Sequence, residues 1–374
     1  MTEFVQIHLL TAYPPSNLNR DDLGRPKTAY MGGIERLRIS SQCIKRAIRT
    51  SAVFAQDLTD PHGVATRCVP EYVKSRLESK QVDAEVIFNF IQELHGANFA
   101  PKDDKKSDKK AKKSFAFDKK DPEGSFKKLL DKLRGEAKET VRYSHFELQH
   151  LDHLCDQLAQ DPMHKFDDEE LRILQFEKRS VDIAMFGRMY ARSPAYNVEA
   201  ACQISHPISI NPGVVEADFF TAVDDLANSY DQTDASILGN TLFGAAVYYT
   251  YACVDVDLLT KNLDGNAELA QKAIRNLIKA LATVSPSGHQ NSFASRAFAD
   301  FVLVERGTQA PRSLVGAFYK PIRSANQMGD AVKALRTFKT KLDAAYGSKP
   351  EAEASFCIDE SDGTLEDVVR LTIQ

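Results

Sequence analysis

The sequence predicts an α+β fold carrying one large helical insertion. Three observations predict it: strand-like alternation near the start, a helix-rich stretch from about 57 to 180, and strand character returning after 180 between helical segments.

Residues 4–11 (FVQIHLLT) alternate Val5, Ile7 and Leu9 with Gln6 and His8, the period of a half-buried strand. Pro14-Pro15 ends it and opens a polar loop. Gly32-Gly33 punctuates the chain, and Arg36 and Arg38 then alternate with Leu37 and Ile39 in a second extended piece. Ser40-Ser41 offer N-cap chemistry for a helix running to about residue 55. Helical stretches follow at 71–95, 125–140, 145–160 and 167–178. The Lys-rich run at 101–120 cannot bury a core and reads as a mobile loop.

Strand character returns at 181–190 (VDIAMFGRMY), 200–210 and 242–257, and again at 297–305. A helix at 266–283 spaces Ala270, Ala273, Ile274, Leu277 and Leu281 along one face, and another spans 328–346. Strand, helix, strands, helix, strand is the order of an RRM-like (ferredoxin-like) sandwich. No repeat of 20–50 residues is visible.

With 374 residues, 43% hydrophobic and 27% charged, the chain has the composition of a globular protein. No run approaches the roughly 18 apolar residues of a membrane span, so no membrane role is expected. The opening MTEFVQIHLLTAYPP has neither a basic flank nor a small-residue cleavage site, so no secretory signal is expected. Cys43, Cys68, Cys155, Cys202, Cys253 and Cys357 are dispersed, as reduced thiols of a cytoplasmic protein would be. The net charge of −4 hides a division. Residues 20–49 carry Arg20, Arg25, Lys27, Arg36, Arg38, Lys45, Arg46 and Arg49, whereas no Lys or Arg occurs between Arg192 and Lys261. Such a chain can attract a polyanion, or copies of itself.

The helix from Ser40 is the most informative element. Gln42, Lys45, Arg46 and Arg49 stand at i, i+3, i+4 and i+7, opposite Ile44, Ile48 and Ala52. Three cations and an amide beside a helix N-terminus fit phosphates, and fit an ordinary solvated face as well. The loop from Ser16 to Asp22 has three readings: RNA contacts by Asn19 and Arg20, a divalent-metal site on Asp21 and Asp22, or a polar turn. His145, His150, His153 and Cys155 fit a zinc site or plain helix packing, without a Cys-x-x-Cys or His-Glu-x-x-His pattern. Ser287–Asn291 is polar and loop-like, an RNA contact or a plain turn. Phe219-Phe220 and Ile237-Leu238, flanked by turn residues, form either an apolar hairpin tip that wedges between bases or ordinary core. No cofactor or nucleotide-binding motif is present, and no cofactor is expected.

The segments IHLLTAYPPSNLNRDD, GGIERLRISSQCIKRAIR, VDIAMFGRM and ADFFTAVDDL, in this order, resemble the CasC family, the guide-RNA-binding backbone subunit of the type I-E CRISPR surveillance complex Cascade. The resemblance implies a hand-like shape: a palm from residues 1–56, 181–210 and 241–374, helical fingers over 57–180, and a β-hairpin thumb over 211–240. It implies copies polymerising head-to-tail along one CRISPR guide RNA, with other Cascade subunits, a recruited helicase-nuclease and target DNA paired to the guide as partners. By matching position, Asn19, Arg20, Lys27, Ser40, Gln42, Lys45, Arg46 and Arg49 would touch the guide backbone, with Arg49 where the family commonly has Lys. Met189 would pack on bases. Phe220 and Leu238 would wedge at a displaced base beside Phe219, which stands where Trp is usual. The chain is then a non-catalytic scaffold. Its rivals are a type III-like subunit that cleaves target RNA through Asp21 or Asp22, and a free-standing RNA-binding protein.

Overall fold

The computed structural model describes residues 1–99, 115–136, 140–174, 179–190, 194–222 and 237–372. These residues build a mixed α+β fold around a central antiparallel sheet, in two compact units. The first comprises Met1–Asp57, Cys202–Leu258 and Ala267–Gln374, and the second Leu58–Ala201 and Leu259–Asn266.

In the first unit, β1 (Phe4–Ser16) leads to a hairpin of β2 (Thr28–Met31) and β3 (Ile34–Leu37). Gly32 and Gly33 turn it with φ of 65° and 79°, the paired positive values that a two-residue hairpin loop demands. A β-carbon at Gly32 would also collide with the Tyr319 carbonyl. Then come α1 (Ser41–Arg49) and α2 (Ala52–Ala55). The single helix expected to residue 55 is therefore two. Ser51 breaks it by accepting from Phe54 N and donating to Ile48 O.

The second unit opens with β4 (Val64–Thr66), α3 (Val69–Ser79), α4 (Ala84–Phe99) and α5 (Pro122–Glu136). It continues through β5 (Val141–Tyr143), α6 (His145–Gln160) and α7 (Val181–Phe186). Its core joins Val73, Leu77, Phe88, Ile91, Phe126, Leu129, Leu151 and Leu158, which are apolar residues at helical spacing. The helix expected over 71–95 breaks between α3 and α4, and of the helix expected over 167–178, residues 167–174 are turn and irregular chain while 175–178 lie outside the described residues. The strand expected over 181–190 is also corrected. Every residue of α7 is buried, and a short apolar run carries no period that separates strand from helix. Most of the Lys-rich run, residues 101–114, lies outside the described residues.

The first unit resumes with β6 (Cys202–Ile204), β7 (Ile208–Ser209), β8 (Glu216–Ala222) and the 19-residue β9 (Ile237–Asp255). After α8 (Val256–Asn262), whose residues from Leu259 on belong to the second unit, come α9 (Ala267–Thr283), α10 (Gln290–Phe293), β10 (Phe301–Gly307), α11 (Gln327–Tyr346), β11 (Ala352–Cys357) and α12 (Leu365–Arg370). The sheet runs β11-β10-β1-β9-β6, with β7 and β8 also paired to β9. Leu10, Tyr249, Phe301 and Leu303 of the sheet pack with Phe318 and with Ala331, Val332 and Leu335 of α11.

The half-buried β1 expected from its alternation is instead buried on both sides, with Gln6 and His8 at 0% exposure. Their polar atoms are answered from distant chain. Tyr249 Oη accepts from Leu314 N and lies 2.9 Å from His8 Nδ1, while His8 Nε2 lies 3.2 Å from Glu305. Burial pushes His8 below its ordinary value, so it is a neutral ring donating from Nε2. Arg312 forks onto both oxygens of Glu305 at 2.9 and 3.0 Å and reaches Asp343 at 2.6 Å. Lys339 joins Asp343 at 3.0 Å and Glu353 at 2.6 Å. Despite its burial, Glu305 is held down at about 2 by the hydrogen bonds from His8 and Arg312 and by the Arg312 charge.

Candidate nucleic-acid interface

Ser40 caps α1 with φ −72° and ψ 144°, its side chain accepting from Cys43 N at 3.3 Å. Asn19 Oδ1 accepts from Ser40 N at 2.8 Å, and the Asn19 carbonyl from Lys27 N at 2.9 Å. Lys27 O in turn accepts from Arg38 N at 2.8 Å. His206 Nδ1 accepts from Ser41 N at 2.9 Å and from the Arg38 guanidinium at 3.3 Å. Asn19, Lys27, Arg38, Ser40 and His206, scattered over the sequence, therefore meet at one helix end. The expectation of open N–H groups there needs correction, since Ser40 and His206 already occupy two of them.

Arg20 is exposed and hydrogen-bonds His289 Nε2. His289 has φ 51° and stacks on Phe293 at 6.0 Å between centroids. The preceding Gly288 lies so close to the Leu18 carbonyl that a β-carbon would collide with it. His206 was missed by sequence reasoning. The segment 287–291 was read as an RNA contact or a plain turn, but no local signal ties it to Arg20, 269 residues away. Along α1, Gln42 and Arg46 are exposed and Lys45 is half-buried. Arg49 is 8% exposed, so it does not share the open face that the spacing predicts. Among the described residues no carboxylate pairs with Arg20, Lys27, Arg38 or Arg46.

Arg36, counted among the basic residues of this segment, is spent inside. It is 0% exposed, and its guanidinium donates to the carbonyls of Ser209 (3.0 Å), Asn211 (3.3 Å) and Phe318 (2.9 Å). It staples the β2–β3 hairpin to chain far away.

β8 pairs with β9, setting Phe220 opposite Gly239 and Thr221 opposite Leu238. Phe219 and Phe220 are 66% and 45% exposed, on opposite faces of the ribbon. The Phe220 ring lies across Gly239, where any side chain would collide with it. The Leu238 side chain and residues 223–236 lie outside the described residues.

In the second unit, Met189 is 78% exposed between two pinned neighbours. Arg188 pairs with Glu147 at 2.8 Å, both side chains 2% exposed, and exchanges backbone hydrogen bonds with Val198. Tyr190 is buried, its N–H donating to Asn197 Oδ1 at 2.6 Å. An apolar side chain held outward in this way can lie against a base.

The other candidates do not assemble. Cys155 is buried, its thiol pushed up to about 12, and His150 faces the Glu170 carbonyl at 2.8 Å. No group of three metal-binding side chains occurs among the described residues. Asp21 Oδ1 accepts from Leu23 N and Arg25 N at 2.9 and 2.8 Å, the bonds of a polar turn.

No curated protein sequence matches the chain. Among solved structures, it is similar to a chain of a "CRISPR RNA-guided surveillance complex, pre-nicking". That match has a TM-score of 0.75 and 25% identity, and covers 99% of both chains. A chain of a second "CRISPR RNA-guided surveillance complex" shares the fold at a TM-score of 0.56 and 23% identity, over 98% of this chain and 92% of that one. No helix among the described residues is long and apolar enough to cross a membrane. A family model matches residues 5–374, so the chain belongs to the CT1975-like protein family.

Proposed function

We propose that this protein is a non-catalytic backbone subunit of a CRISPR surveillance complex, of the type I-E CasC kind, which grips guide RNA by its sugar-phosphate chain. The observation that carries this reading is the end-to-end structural match, at a TM-score of 0.75, to a chain of an RNA-guided surveillance complex. The unpaired cations Arg20, Lys27, Arg38 and Arg46 support it, because side chains without carboxylate partners are available to phosphates. Copies would follow one another head-to-tail along the guide. Phe220, on its glycine seat, would displace an occasional base, and Met189 would pack on its neighbours. The bases between would pair with target DNA, within an assembly of other subunits that recruits a helicase-nuclease. The Asp21 carboxylate serves its own loop, which favours a scaffold over an Asp-dependent nuclease.

The test is to recover the nucleic acid that travels with the purified protein. One RNA of guide size carrying several copies of the chain is the expected result, and heterogeneous cellular RNA overturns the reading. Incubating the complex with guide-paired RNA and Mg²⁺ tests catalysis. Cleavage that Asp21→Ala abolishes would make the protein an enzyme.

A further inference from the structure

Two histidines stand inside the cationic face, and neither is explained by the fold core. His206 is exposed, and its Nδ1 faces two groups that can only donate, Ser41 N and the Arg38 guanidinium. Nδ1 is therefore the acceptor, and Nε2 carries the proton. His289 is the reverse. Its Nε2 accepts from Arg20, and its Nδ1 is buried without a partner.

We propose that His206 and His289 belong to the guide site: neutral His206 donates from Nε2 to a backbone phosphate between Lys27 and Arg38, and His289 positions Arg20 until a phosphate accepts from Arg20 instead and frees His289 Nε2 to take a proton. This rests on the guide-binding reading above and deepens it. The charged groups facing His206 are Arg38 and Lys27, and the one facing His289 is Arg20. No carboxylate faces either ring among the described residues. Burial first, and then these cations, hold both histidines below their ordinary value. A phosphate that accepts from Arg20 vacates His289 Nε2 and cancels the repulsion, so this ring binds a proton more readily in the complex than in the free protein, while His206, whose Nδ1 stays occupied by Ser41 N and Arg38, remains neutral. Binding then takes up a proton, and affinity rises as pH falls through the histidine range. Serine, asparagine or glutamine at these positions would hold the same hydrogen bonds with no such response.

The test titrates a fluorescent oligouridylate against the full-length protein over a range of salt, at about pH 8 and about pH 6. The wild type is expected to bind roughly threefold to tenfold tighter at the lower pH. Its salt slope should steepen by about 0.7 for the proton that His289 gains. His206→Asn keeps an acceptor for Ser41 N, and His289→Gln keeps one for Arg20, so both variants retain the local structure. The double variant is expected to bind more weakly than the wild type at both pH values and to lose the gain at the lower one. A double variant that keeps the wild-type gain, or a wild type with none, overturns the proposal. Lys27→Ala separates the two levels. If it flattens the salt slope while pH has no effect, guide binding stands and the histidine role falls. If the wild type shows no salt-dependent binding, the guide-binding reading falls as well.

Discussion

The cluster around Glu305 and the face at the start of α1 are built from the same side chains, arginine, lysine and histidine, and put them to opposite uses. Around Glu305, Arg312 and Lys339 each meet two or three carboxylates, and His8 is a neutral link in a closed hydrogen-bond chain. At α1, Lys27, Arg38 and Arg20 meet, among the described residues, only backbone carbonyls, histidines or solvent. A buried ion must be matched within the protein, because desolvation costs several kcal/mol per ion. An exposed and unmatched group of like charges is tolerated because water and counterions screen it, and it stays free to exchange those counterions for phosphates. The partner of a cation, rather than its presence, separates architecture from interface.

The largest expected effect breaks the first region. Glu305→Gln removes the carboxylate that Arg312 and Lys339 share at 0% exposure, and should destabilise the first unit by about 3–5 kcal/mol. Chemical denaturation followed by circular dichroism would measure it. A loss under about 1 kcal/mol would mean that the cluster relaxes into solvent and is not a matched interior.

Acidification probes the same cluster without mutation. Glu305 titrates at about 2 when folded and near 4.5 when free, so its stabilisation is complete above 4.5 and drains away as pH falls toward 2. His8 is held below its ordinary 6.5, so the unfolded chain takes up that proton first. Stability should therefore begin to fall below pH 6.5 and fall further below 4.5. A melting temperature that stays level down to pH 4 would contradict this assignment.

The regions also differ in how readable they are from sequence. The period of α9, the cap at Ser40 and the glycine turn at 32–33 are local features, and each appears as expected. Arg36 and Arg38 look equivalent in an alternating segment, yet one is entombed and the other reaches the surface. What decides between them is a set of carbonyls supplied by Ser209, Asn211 and Phe318, and no window around residue 36 contains those. Gln6 and His8 mislead for the same reason. Alternation of polar and apolar residues implies a wet face only when no distant polar cluster covers it. The candidate site was legible where its residues share a helix or a loop, as Asn19, Lys27 and Ser40 nearly do. It was illegible where the partner arrives from residue 206 or 289.

A middle-sized effect sharpens the exposed side of the comparison. Phe220→Ala removes a half-exposed ring lying on Gly239, so folding should change by less than about 0.5 kcal/mol. Retention of guide RNA should weaken by about 1–3 kcal/mol if the ring stacks at a displaced base. Electrophoretic mobility shift against the recovered RNA would read it, with Phe219→Ala as the companion on the opposite face of the ribbon. Equal losses from both variants would assign the ribbon a general apolar role and remove the wedge.

The smallest effect is the most discriminating, because it sets two arginines of one helix against each other. Arg46 and Arg49 lie three residues apart on α1, and by spacing alone they share a face. Arg46 is exposed, whereas Arg49 is 8% exposed and has a partner in the fold. Arg46→Ala should leave the melting temperature nearly unchanged and lower the salt slope of RNA binding by about 0.7, one counterion's worth on a single strand. Arg49→Ala should do the opposite, costing about 1–3 kcal/mol of stability with the slope unmoved. The pair of measurements fixes which way each side chain is spent, whatever their common charge. If Arg49→Ala also flattens the slope, the guanidinium turns outward when RNA arrives, and burial in the free subunit does not exclude a residue from the interface.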